Sequence, residues 1–380
     1  MKTIRDIQYF EGVRMLVRTD FNVPVKGNKV VDDFRIRMAL PTIKFLQEKG
    51  AKVILMAHIE TNEGENISFQ PIAERLAELG TPVLFIKDYK KAHELIENQL
   101  KNGDVALLEN LRFFEGEKKN DKKFAKELAS FGDIYVNEAF PSSHREHASI
   151  VGVPKFLPSF AGLQFEKEVL NLTKTFNPTH PFIFLLNGIK FETKMPLLKR
   201  FLEIADTVFV GGALATDFFK QKGYEVGRSI VSTGDIDLAP LLANPKLILP
   251  LDVMDEGRKI YAPDALPKES KIVDIGPKTL EMLKSKIESS KFILWNGPTG
   301  IYQEGYGEAT QELARIIANA TAAGCISVVG GGDTVAAIEE IGLSDKFTFV
   351  SSGGGAMLDF LAKGTLPGIE ALNTDKNDSD

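Results

Sequence analysis

Short apolar runs alternate with amphipathic segments along the whole chain. Five runs in the first half predict strands: Arg14–Arg18, Val53–Met56, Val83–Ile86, Val105–Leu108 and Ile134–Val136. Six in the second half predict further strands: Phe182–Leu186, Thr207–Val210, Leu247–Pro250, Lys291–Trp295, Ile326–Val329 and Phe347–Val350. Strands that alternate with helices favour doubly wound parallel sheets with helices on both faces. We therefore expect an α/β fold that binds its ligands at the carboxyl ends of the strands.

The strands of the two halves end in different kinds of residue. First-half strands run into polar or charged side chains: Asp20 and Asn22, His58, Glu109 and Arg112, Asn137 and Glu138. Second-half strands mostly run into glycines: Gly188, Gly211 and Gly212, Gly297 and Gly300, Gly330–Gly332, and Gly353–Gly355. Glycine at a strand-to-helix turn lets backbone N–H groups approach a phosphate. We expect one domain to bind a small charged substrate through side chains and the other to bind a nucleotide through its backbone.

Length, charge and cysteine content narrow the class of protein. A chain of 380 residues favours two domains, and a net charge of −6 argues against nucleic-acid binding. The only cysteine is Cys325, which excludes an intrachain disulfide and favours a reducing compartment. No apolar stretch approaches the roughly 18 residues of a membrane helix, and residues 1–11 lack the apolar core of a signal peptide. We expect a cytoplasmic protein that binds neither nucleic acid nor membrane.

The second half supplies candidates for phosphate chemistry. Asp333 and Thr334 stand where a helix follows Gly330–Gly332. Because a carboxylate would repel a bare phosphate, we interpret Asp333 as a ligand for a phosphate-bound Mg²⁺. Lys190 and Lys194 flank a helix start that the pattern places near residues 193–196. They could neutralise charge on a phosphoryl group in transfer, or they could be an exposed pair.

The first half supplies candidates for an anion site, namely Arg18, Arg35, Arg112 and Arg145 with His58, His144 and His147. Arginine offers a planar fork that matches carboxylate or phosphate oxygens, although a lone arginine is more often a solvated surface charge. The histidines lack further ligands at metal-binding spacing. Neither G-x-G-x-x-G nor G-x-x-x-x-G-K-[ST] occurs, so the dinucleotide fingerprint and the P-loop are both absent from the sequence.

Eight motifs in order along the chain resemble the phosphoglycerate kinase family. They are RTDFNVP (18–24), DDFRIRMALPTI (32–43), ENLRFF (109–114), HREHAS (144–149), DIGPKT (274–279), WNGPTG (295–300), GGGDT (330–334) and SSGGGA (351–356). The resemblance runs from about Val13 to Leu372. It implies Rossmann-like domains at 1–160 and 177–363, an inter-domain helix at 161–176 and a C-terminal segment, 364–380, that packs back on the first domain. Phe165–Thr175 has the pattern of that helix.

The resemblance also implies an activity, which is reversible phosphoryl transfer between 1,3-bisphosphoglycerate and ADP, giving 3-phosphoglycerate and ATP. The implied requirements are Mg²⁺ and hinge closure, and the implied state is a monomer. By similarity, the glycerate substrate is held by Asp20, Asn22, Arg35, His58, Thr61, Arg112 and Arg145. The nucleotide is held by Lys194, Gly211, Gly212, Asn296, Gln303, Gly331, Gly332, Asp333 and Thr334, with Mg²⁺ on Asp333. Arg35, Lys190 and Lys194 are the implied catalytic residues, and Gly354 and Gly355 are the residues near the transferred phosphate.

Departures from the family pattern lie at both ligand sites. The family carries His-Leu-Gly-Arg-Pro where this chain has HIETN at 58–62, so Thr61 replaces an arginine and Glu60 adds a negative charge. Gln303 stands where an acidic residue holds the ribose in the family, and Glu304 follows it. Two alternatives to an active kinase therefore stay open. One is a weakened paralogue that acts as a binding or regulatory protein, and the other is a kinase for a different phosphorylated carboxylic acid.

Overall fold

The computed structural model of the chain describes residues 1–60, 67–189, 191–233 and 237–373. Two predicted site residues, Thr61 and Lys190, lie outside these ranges. Contacts divide the chain into two compact units, Met1–Leu170 with Lys363–Asp380 as the first and Asn171–Ala362 as the second. Within the described ranges, no helix has both the length and the apolar character needed to cross a membrane.

The first unit is built on a six-stranded parallel sheet. Its strands, with a short hairpin (β2 and β3), are β1 Arg14–Arg18, β2 Val25–Lys26, β3 Lys29–Val30, β4 Lys52–Met56, β5 Leu84–Ile86, β6 Val105–Leu108, β7 Ile134–Asn137 and β8 Ser159–Ala161. The order across the sheet is β5-β6-β4-β1-β7-β8, and every neighbouring pair is parallel. The chain first extends the sheet on one side of β1 and then returns to the other side at β7, so the crevice for a ligand is expected between these two strands.

In the described part of this unit, six α-helices accompany the strands: α1 Phe34–Glu48, α2 Gln70–Glu78, α3 Ala92–Gln99, α4 Glu115–Lys118, α5 Lys122–Ser130 and α6 Leu163–Thr173. The carboxylate of Glu138, just beyond β7, fixes the start of α6. It accepts hydrogen bonds from the backbone N–H groups of Gln164 (3.1 Å) and Phe165 (3.3 Å) and from the hydroxyl of Thr42 (2.6 Å). Helix α6 begins two residues before the predicted Phe165, and the division between the two units falls inside it.

The second unit contains a six-stranded parallel sheet and a small antiparallel sheet. Their strands are β9 Phe182–Leu186, β10 Thr207–Val210, β11 Leu247–Ile248, β12 Val253–Asp255, β13 Ile260–Tyr261, β14 Ile272–Ile275, β15 Phe292–Asn296, β16 Ile326–Gly330 and β17 Phe349–Val350. The parallel sheet has the order β11-β10-β9-β15-β16-β17, and the antiparallel sheet has the order β13-β12-β14. In the parallel sheet the strand order switches between β9 and β15, because β10 and β11 extend the sheet on one side of β9 and β16 and β17 extend it beyond β15 on the other side.

Seven α-helices within the described ranges belong mainly to the second unit: α7 Phe191–Ile204, α8 Ala213–Gln221, α9 Ala239–Leu242, α10 Pro277–Glu288, α11 Glu308–Ala322, α12 Gly332–Glu340 and α13 Gly355–Lys363. One more helix, α14 Pro367–Asn373, belongs to the first unit. The N–H of Gly368 in α14 donates to the carbonyl oxygen of Ser143 at 2.9 Å. The described part of the C-terminal segment therefore packs on the first unit, as the fold prediction required.

The prediction of two parallel sheets is confirmed. All eleven predicted strands occur, with ends that differ by up to two residues. Strands such as β9 and β15 are buried along their whole length, which explains their continuous apolar runs. Strand β8 and the small antiparallel sheet were not predicted, because their two- to four-residue strands carry too little periodic signal to separate from loops.

Candidate active site

Three cationic side chains of the first unit converge on the carboxylate of Glu60. Its Oε1 lies 2.5 Å from Nζ of Lys118 and 3.3 Å from Nε of Arg112, and its Oε2 lies 2.9 Å from Nη1 of Arg145. Glu60 and Arg112 lie four residues beyond the ends of β4 and β6, and Arg145 lies eight residues beyond the end of β7. The parallel sheet places these ends along one edge. We call Arg112, Lys118 and Arg145 the cation cluster.

The last residue of β1, Arg18, is fully buried and anchors the same edge. Its Nε donates to Oγ of Ser149 at 2.8 Å, its Nη2 lies 2.7 Å from Nδ1 of His58, and its Nη1 donates to the carbonyl oxygen of Thr19. The buried carboxylate of Glu117 accepts from the hydroxyl of Ser149 at 2.6 Å. These partners compensate the cost of burying a guanidinium group.

Asp20 and Asn22 connect Arg35 to Glu60. Oδ2 of Asp20 lies 2.9 Å from Nη1 of Arg35, and its Oδ1 accepts from the N–H of Asn22 at 3.1 Å. Oδ1 of Asn22 accepts from the N–H of Glu60 at 3.0 Å. Arg35, on α1, thereby belongs to the same hydrogen-bonded group as the cation cluster.

The structure thus brings together six of the seven residues expected to hold the glycerate substrate, namely Asp20, Asn22, Arg35, His58, Arg112 and Arg145. Their roles stay predictions, and the seventh, Thr61, lies outside the described residues. The sequence interpretation missed Glu117 and Lys118 as members of this group. Their position five and six residues after Arg112 gives no signal of contact, because only the fold of α4 brings them back to the strand ends.

The cation cluster and the surrounding burial shift several pKa values. Burial would raise the pKa of Glu60, but hydrogen bonds from Lys118 and Arg145 outweigh it, and the pKa falls to about 2. Burial and the neighbouring arginines hold the pKa of His58 well below its usual range and lower that of His147 to about 4. Near pH 7, Glu60 is therefore a carboxylate and both imidazoles are neutral.

The second unit contains a cavity of about 400 Å³ at the carboxyl ends of its parallel strands. Ten residues predicted to bind the nucleotide or its phosphates line it: Lys194, Gly212, Asn296, Gln303, Gly331, Gly332, Asp333, Thr334, Gly354 and Gly355. Gly211 lies one position before Gly212, and a Cβ there would collide with Oδ1 of Asn187 and come within 2.7 Å of the ring of Phe209. Close packing against both side chains explains this glycine.

The first turn of α12 faces the cavity through a tight glycine turn. Gly331 has a φ of 103°, which a residue with a side chain rarely adopts. A Cβ on Gly331 would also lie 3.2 Å from Nδ2 of Asn296. Oγ1 of Thr334 accepts from the N–H of Gly297 at 3.0 Å, which ties this turn to the loop after β15. The N-terminus of α12 and the carboxylate of Asp333 thus lie at the cavity wall.

Gln303 contacts the carboxylate of Asp333 directly, with Nε2 donating to Oδ1 at 3.0 Å. Glu304, the next residue along the chain, is the other candidate for the role of the family's acidic residue. In the structure Glu304 pairs with Lys271, whose Nζ lies 3.0 Å from Oε2, and it does not appear among the residues that line the cavity. Of Gln303 and Glu304, it is therefore Gln303 that contacts Asp333, through its side-chain amide.

Lys194 is buried in α7, and its Nζ donates to the carbonyl oxygen of Asn187. Burial lowers its pKa to about 8, against the opposing charge of Asp333. The predicted start of this helix near residues 193–196 was wrong, because α7 begins at Phe191 and Pro196 lies in its second turn. Local proline preference suggested the later start, whereas the tertiary fold tolerates a proline inside the helix. Lys190 lies outside the described residues.

Among the described residues, two carboxyl groups line the cavity, those of Asp274 and Asp333. Burial raises the pKa of Asp274 to about 7, although hydrogen bonds oppose the rise. Across the described ranges, no group of three or more His, Cys, Asp or Glu side chains could hold a metal ion. One carboxylate beside a helix N-terminus is nevertheless compatible with Mg²⁺, because proteins usually bind this ion through one or two carboxylates together with substrate phosphates.

Comparison with known proteins decides the family. A family model described as phosphoglycerate kinase matches residues 4–364. The phosphoglycerate kinase of Dictyoglomus turgidum is 43% identical over 98% of each chain, and that of Borrelia garinii is 42% identical over 98% of this chain and 99% of its own. This chain belongs to the phosphoglycerate kinase family.

Solved structures agree with that membership. A phosphoglycerate kinase from Coxiella burnetii has a TM-score of 0.85 and 33% identity, covering 97% of this chain and 98% of its own. One from Pyrococcus horikoshii has a TM-score of 0.85 and 32% identity, covering 98% of both. The family resemblance and the fold class of two Rossmann-like sheets are therefore confirmed. As a member of this family, the chain is a phosphotransferase with a nucleotide and a small molecule as its substrates.

Proposed function

We propose that the chain transfers a phosphoryl group reversibly between 1,3-bisphosphoglycerate and ADP, giving 3-phosphoglycerate and ATP. The main support is that the first unit carries the cation cluster and the second carries a glycine-lined cavity at a helix N-terminus. Arginine forks suit the phosphate and carboxylate oxygens of the glycerate. Backbone N–H groups at glycine turns suit the phosphates of a nucleotide.

On the glycerate side, we assign Arg112 and Arg145 to the anionic groups of the substrate, together with Arg35. Asp20 and Asn22 orient Arg35 and the chain after β4 through the bonds described above. His58 is held by Arg18, and its low pKa keeps it neutral. A neutral imidazole can donate one hydrogen bond without adding charge, which suits a role in orienting the substrate. Thr61 belongs to this set by position.

On the nucleotide side, we assign Gly211, Gly212, Gly331, Gly332 and the first turn of α12 to the phosphates. Asn296 and Gln303 contact the chain around that turn. Asp333 would hold Mg²⁺ together with phosphate oxygens. When bound there, the ion neutralises charge on the nucleotide. Gly354 and Gly355 lie at the same cavity and give the transferred phosphate room to approach backbone N–H groups.

In this reaction the protein mainly aligns the two substrates and neutralises the charge of the transferred phosphoryl group. A carboxylate oxygen of 3-phosphoglycerate attacks the γ-phosphorus of ATP, a new O–P bond forms, and the bond to the β-phosphate oxygen breaks as ADP leaves. Because a carboxylate is already ionised, no general base is needed. Arg35, Lys190 and Lys194 neutralise the charge of the phosphoryl group during transfer. Substrates held on separate units must meet, so we propose hinge closure about α6.

We also propose that the protein acts in the cytoplasm and as a monomer.

A coupled assay with 3-phosphoglycerate, ATP and Mg²⁺ tests the proposal. Asp333→Ala should lower kcat/KM for ATP by about 10²-fold or more, since it removes the charge that holds the metal ion. Asp345→Ala is the matched control, because that carboxylate is 73% exposed and pairs only with Lys346 among its described contacts. Folded wild-type protein that shows no turnover at saturating substrates would overturn the proposed reaction.

Two further variants test the residues outside the described ranges. Lys190→Ala should reduce kcat far more than it changes either KM, because its proposed charge matters most in the transition state. Thr61→Arg restores the family's arginine and should lower the KM for 3-phosphoglycerate about tenfold, since a charge-assisted contact contributes about 1.5–3 kcal/mol. Wild-type protein that is inactive and gains activity in Thr61→Arg would instead indicate a changed substrate.

A further inference from the structure

The carboxylate of Glu60 contacts the arginine side chains that the proposed function assigns to binding the substrate. It lies within 3.3 Å of a nitrogen of each member of the cation cluster. The Glu60 side chain is 32% exposed, so a ligand from solvent can reach it, whereas Arg112 is only 2% exposed. The Glu60 carboxylate is therefore an intramolecular anion that is bound at a partly open anion site.

The chemistry of this contact is that of substrate recognition. A carboxylate on arginine forks makes the same kind of charge-assisted bond that a substrate carboxylate or phosphate would make. Arg112 and Arg145 cannot each donate fully to Glu60 and to a substrate oxygen from the same N–H groups. Binding an anion at these two arginines consequently requires Glu60 to leave or to share them.

The contact with Arg112 is also loose. The two distances to Glu60 are 3.3 and 3.4 Å, and Nε and Nη1 of Arg112 lack a hydrogen bond of good geometry within the described chain. Lys118 and Arg145 hold the carboxylate more closely, at 2.5 and 2.9 Å. A ligand with more oxygens, such as a phosphate group, can satisfy the Arg112 fork better than Glu60 does.

We propose that Glu60 is an internal competitor that sets the specificity of the anion site, a proposal that rests on the proposed function. It occupies Arg112 and Arg145 in the absence of substrate and yields to a dianionic phosphate group. A simple monocarboxylate offers no more charge than Glu60 itself and does not displace it. The site thereby rejects small carboxylates at the cost of weaker binding of its own substrate.

A structural role for Glu60 makes the opposite prediction. If Glu60 only neutralises the cluster and remains in place when substrate binds, its removal would leave Arg112 buried and unpaired, and the site would bind less well or deform. The variants therefore separate the two roles by the sign of the effect on affinity. Glu60→Gln removes the charge, and Glu60→Asp keeps the charge on a side chain one methylene shorter.

The first measurement is calorimetric binding of inorganic phosphate to the whole protein without nucleotide. Glu60→Gln should bind phosphate at least tenfold more tightly than wild type, with Glu60→Asp between them, and acetate should bind measurably only to Glu60→Gln. Glu115→Gln is the matched control, since that side chain is 86% exposed on the same short helix as Lys118 and pairs with Lys119. Unchanged or weaker phosphate binding in folded Glu60→Gln and Glu60→Asp would overturn the proposal.

The second measurement separates this proposal from the proposed function. In the kinase assay, Glu60→Gln should lower the KM for 3-phosphoglycerate at least tenfold and leave kcat nearly unchanged. If no variant turns over but Glu60→Gln still binds phosphate more tightly, the proposed function fails and Glu60 remains a competitor. If turnover is normal and KM does not fall in Glu60→Gln, the role of Glu60 fails alone.

Discussion

Replacing Lys194 by methionine should make the protein more stable at neutral pH while removing its kinase activity. Burial lowers the pKa of this lysine from 10.5 to about 8, which corresponds to about 3 kcal/mol against the protonated form. Methionine has a similar length, fills the same space and carries no charge. The variant loses the hydrogen bond to the carbonyl oxygen of Asn187, which costs about 1 kcal/mol. The expected net gain in the free energy of unfolding is about 2 kcal/mol at pH 7.

The dependence on pH identifies the cause. The folded-state pKa of about 8 lies below the 10.5 of the unfolded chain, so the unfolded chain binds more protons between these values. Wild-type stability therefore rises with pH across this window. The advantage of Lys194→Met should be complete below pH 8 and should disappear as the pH approaches 10.5.

Urea unfolding followed by the fluorescence of Trp295 measures the stability of the second unit, which also contains Lys194. Trp295 is the only tryptophan of the chain and is fully buried in β15 of the second unit. Lys199→Met is the matched control, because Lys199 is exposed on the same helix, and it should change stability by less than about 0.5 kcal/mol. Titrations at pH 7 and pH 10 sample the two limits.

A Lys194→Met protein that unfolds at lower urea than wild type at pH 7, with the same m value, would contradict this prediction. A stability gain that is equal at pH 7 and pH 10 would refute it as well, since desolvation of an ammonium group must fade once that group is neutral. Loss of turnover alone does not test the argument, because it follows from the proposed role of Lys194 in either case.

Three other predictions follow from buried contacts. Burial raises the pKa of Asp274 to about 7, so its cost to stability appears as the pH rises from about 4 to 7, and Asp274→Asn should gain about 2–4 kcal/mol at pH 8 but little at pH 4. Equal gains in urea titrations at both values would contradict this. Arg18→Lys should lose about 3 kcal/mol or more in unfolding followed by circular dichroism, because lysine cannot reach three separate acceptors in one plane. A loss below 1 kcal/mol would show that these bonds contribute little. Gly368→Val should lower the thermal midpoint, since a Cβ there would lie 2.6 Å from Cβ of Ser143, and an unchanged midpoint would mean that α14 shifts freely.

Local patterns along the sequence were sufficient to predict the two parallel sheets and the kind of residue at each strand end. Runs such as Phe182–Leu186 are continuously apolar and are separated by helical patterns. Such a run indicates a strand of a parallel sheet, because helices cover both faces of that sheet and every residue of the strand is buried. Glycines after the second-half strands and charged residues after the first-half strands indicated where a nucleotide and an anion would bind. These signals are local, and they do not require knowledge of distant neighbours.

The contacts among those strand ends could be known only from the folded structure. In the sequence, Glu60 was only a negative charge beside Thr61, the position of the family's arginine. In the fold, its carboxylate contacts Arg112 and Arg145, which are 52 and 85 residues away along the chain. The burial of Lys194 and the bond from Gln303 to Asp333 likewise depend on segments that are remote along the chain. A sequence pattern reports which side chains are available, but distance and desolvation arise only when the sheet brings its strand ends to one edge, and these two quantities set the charge and the affinity of the site.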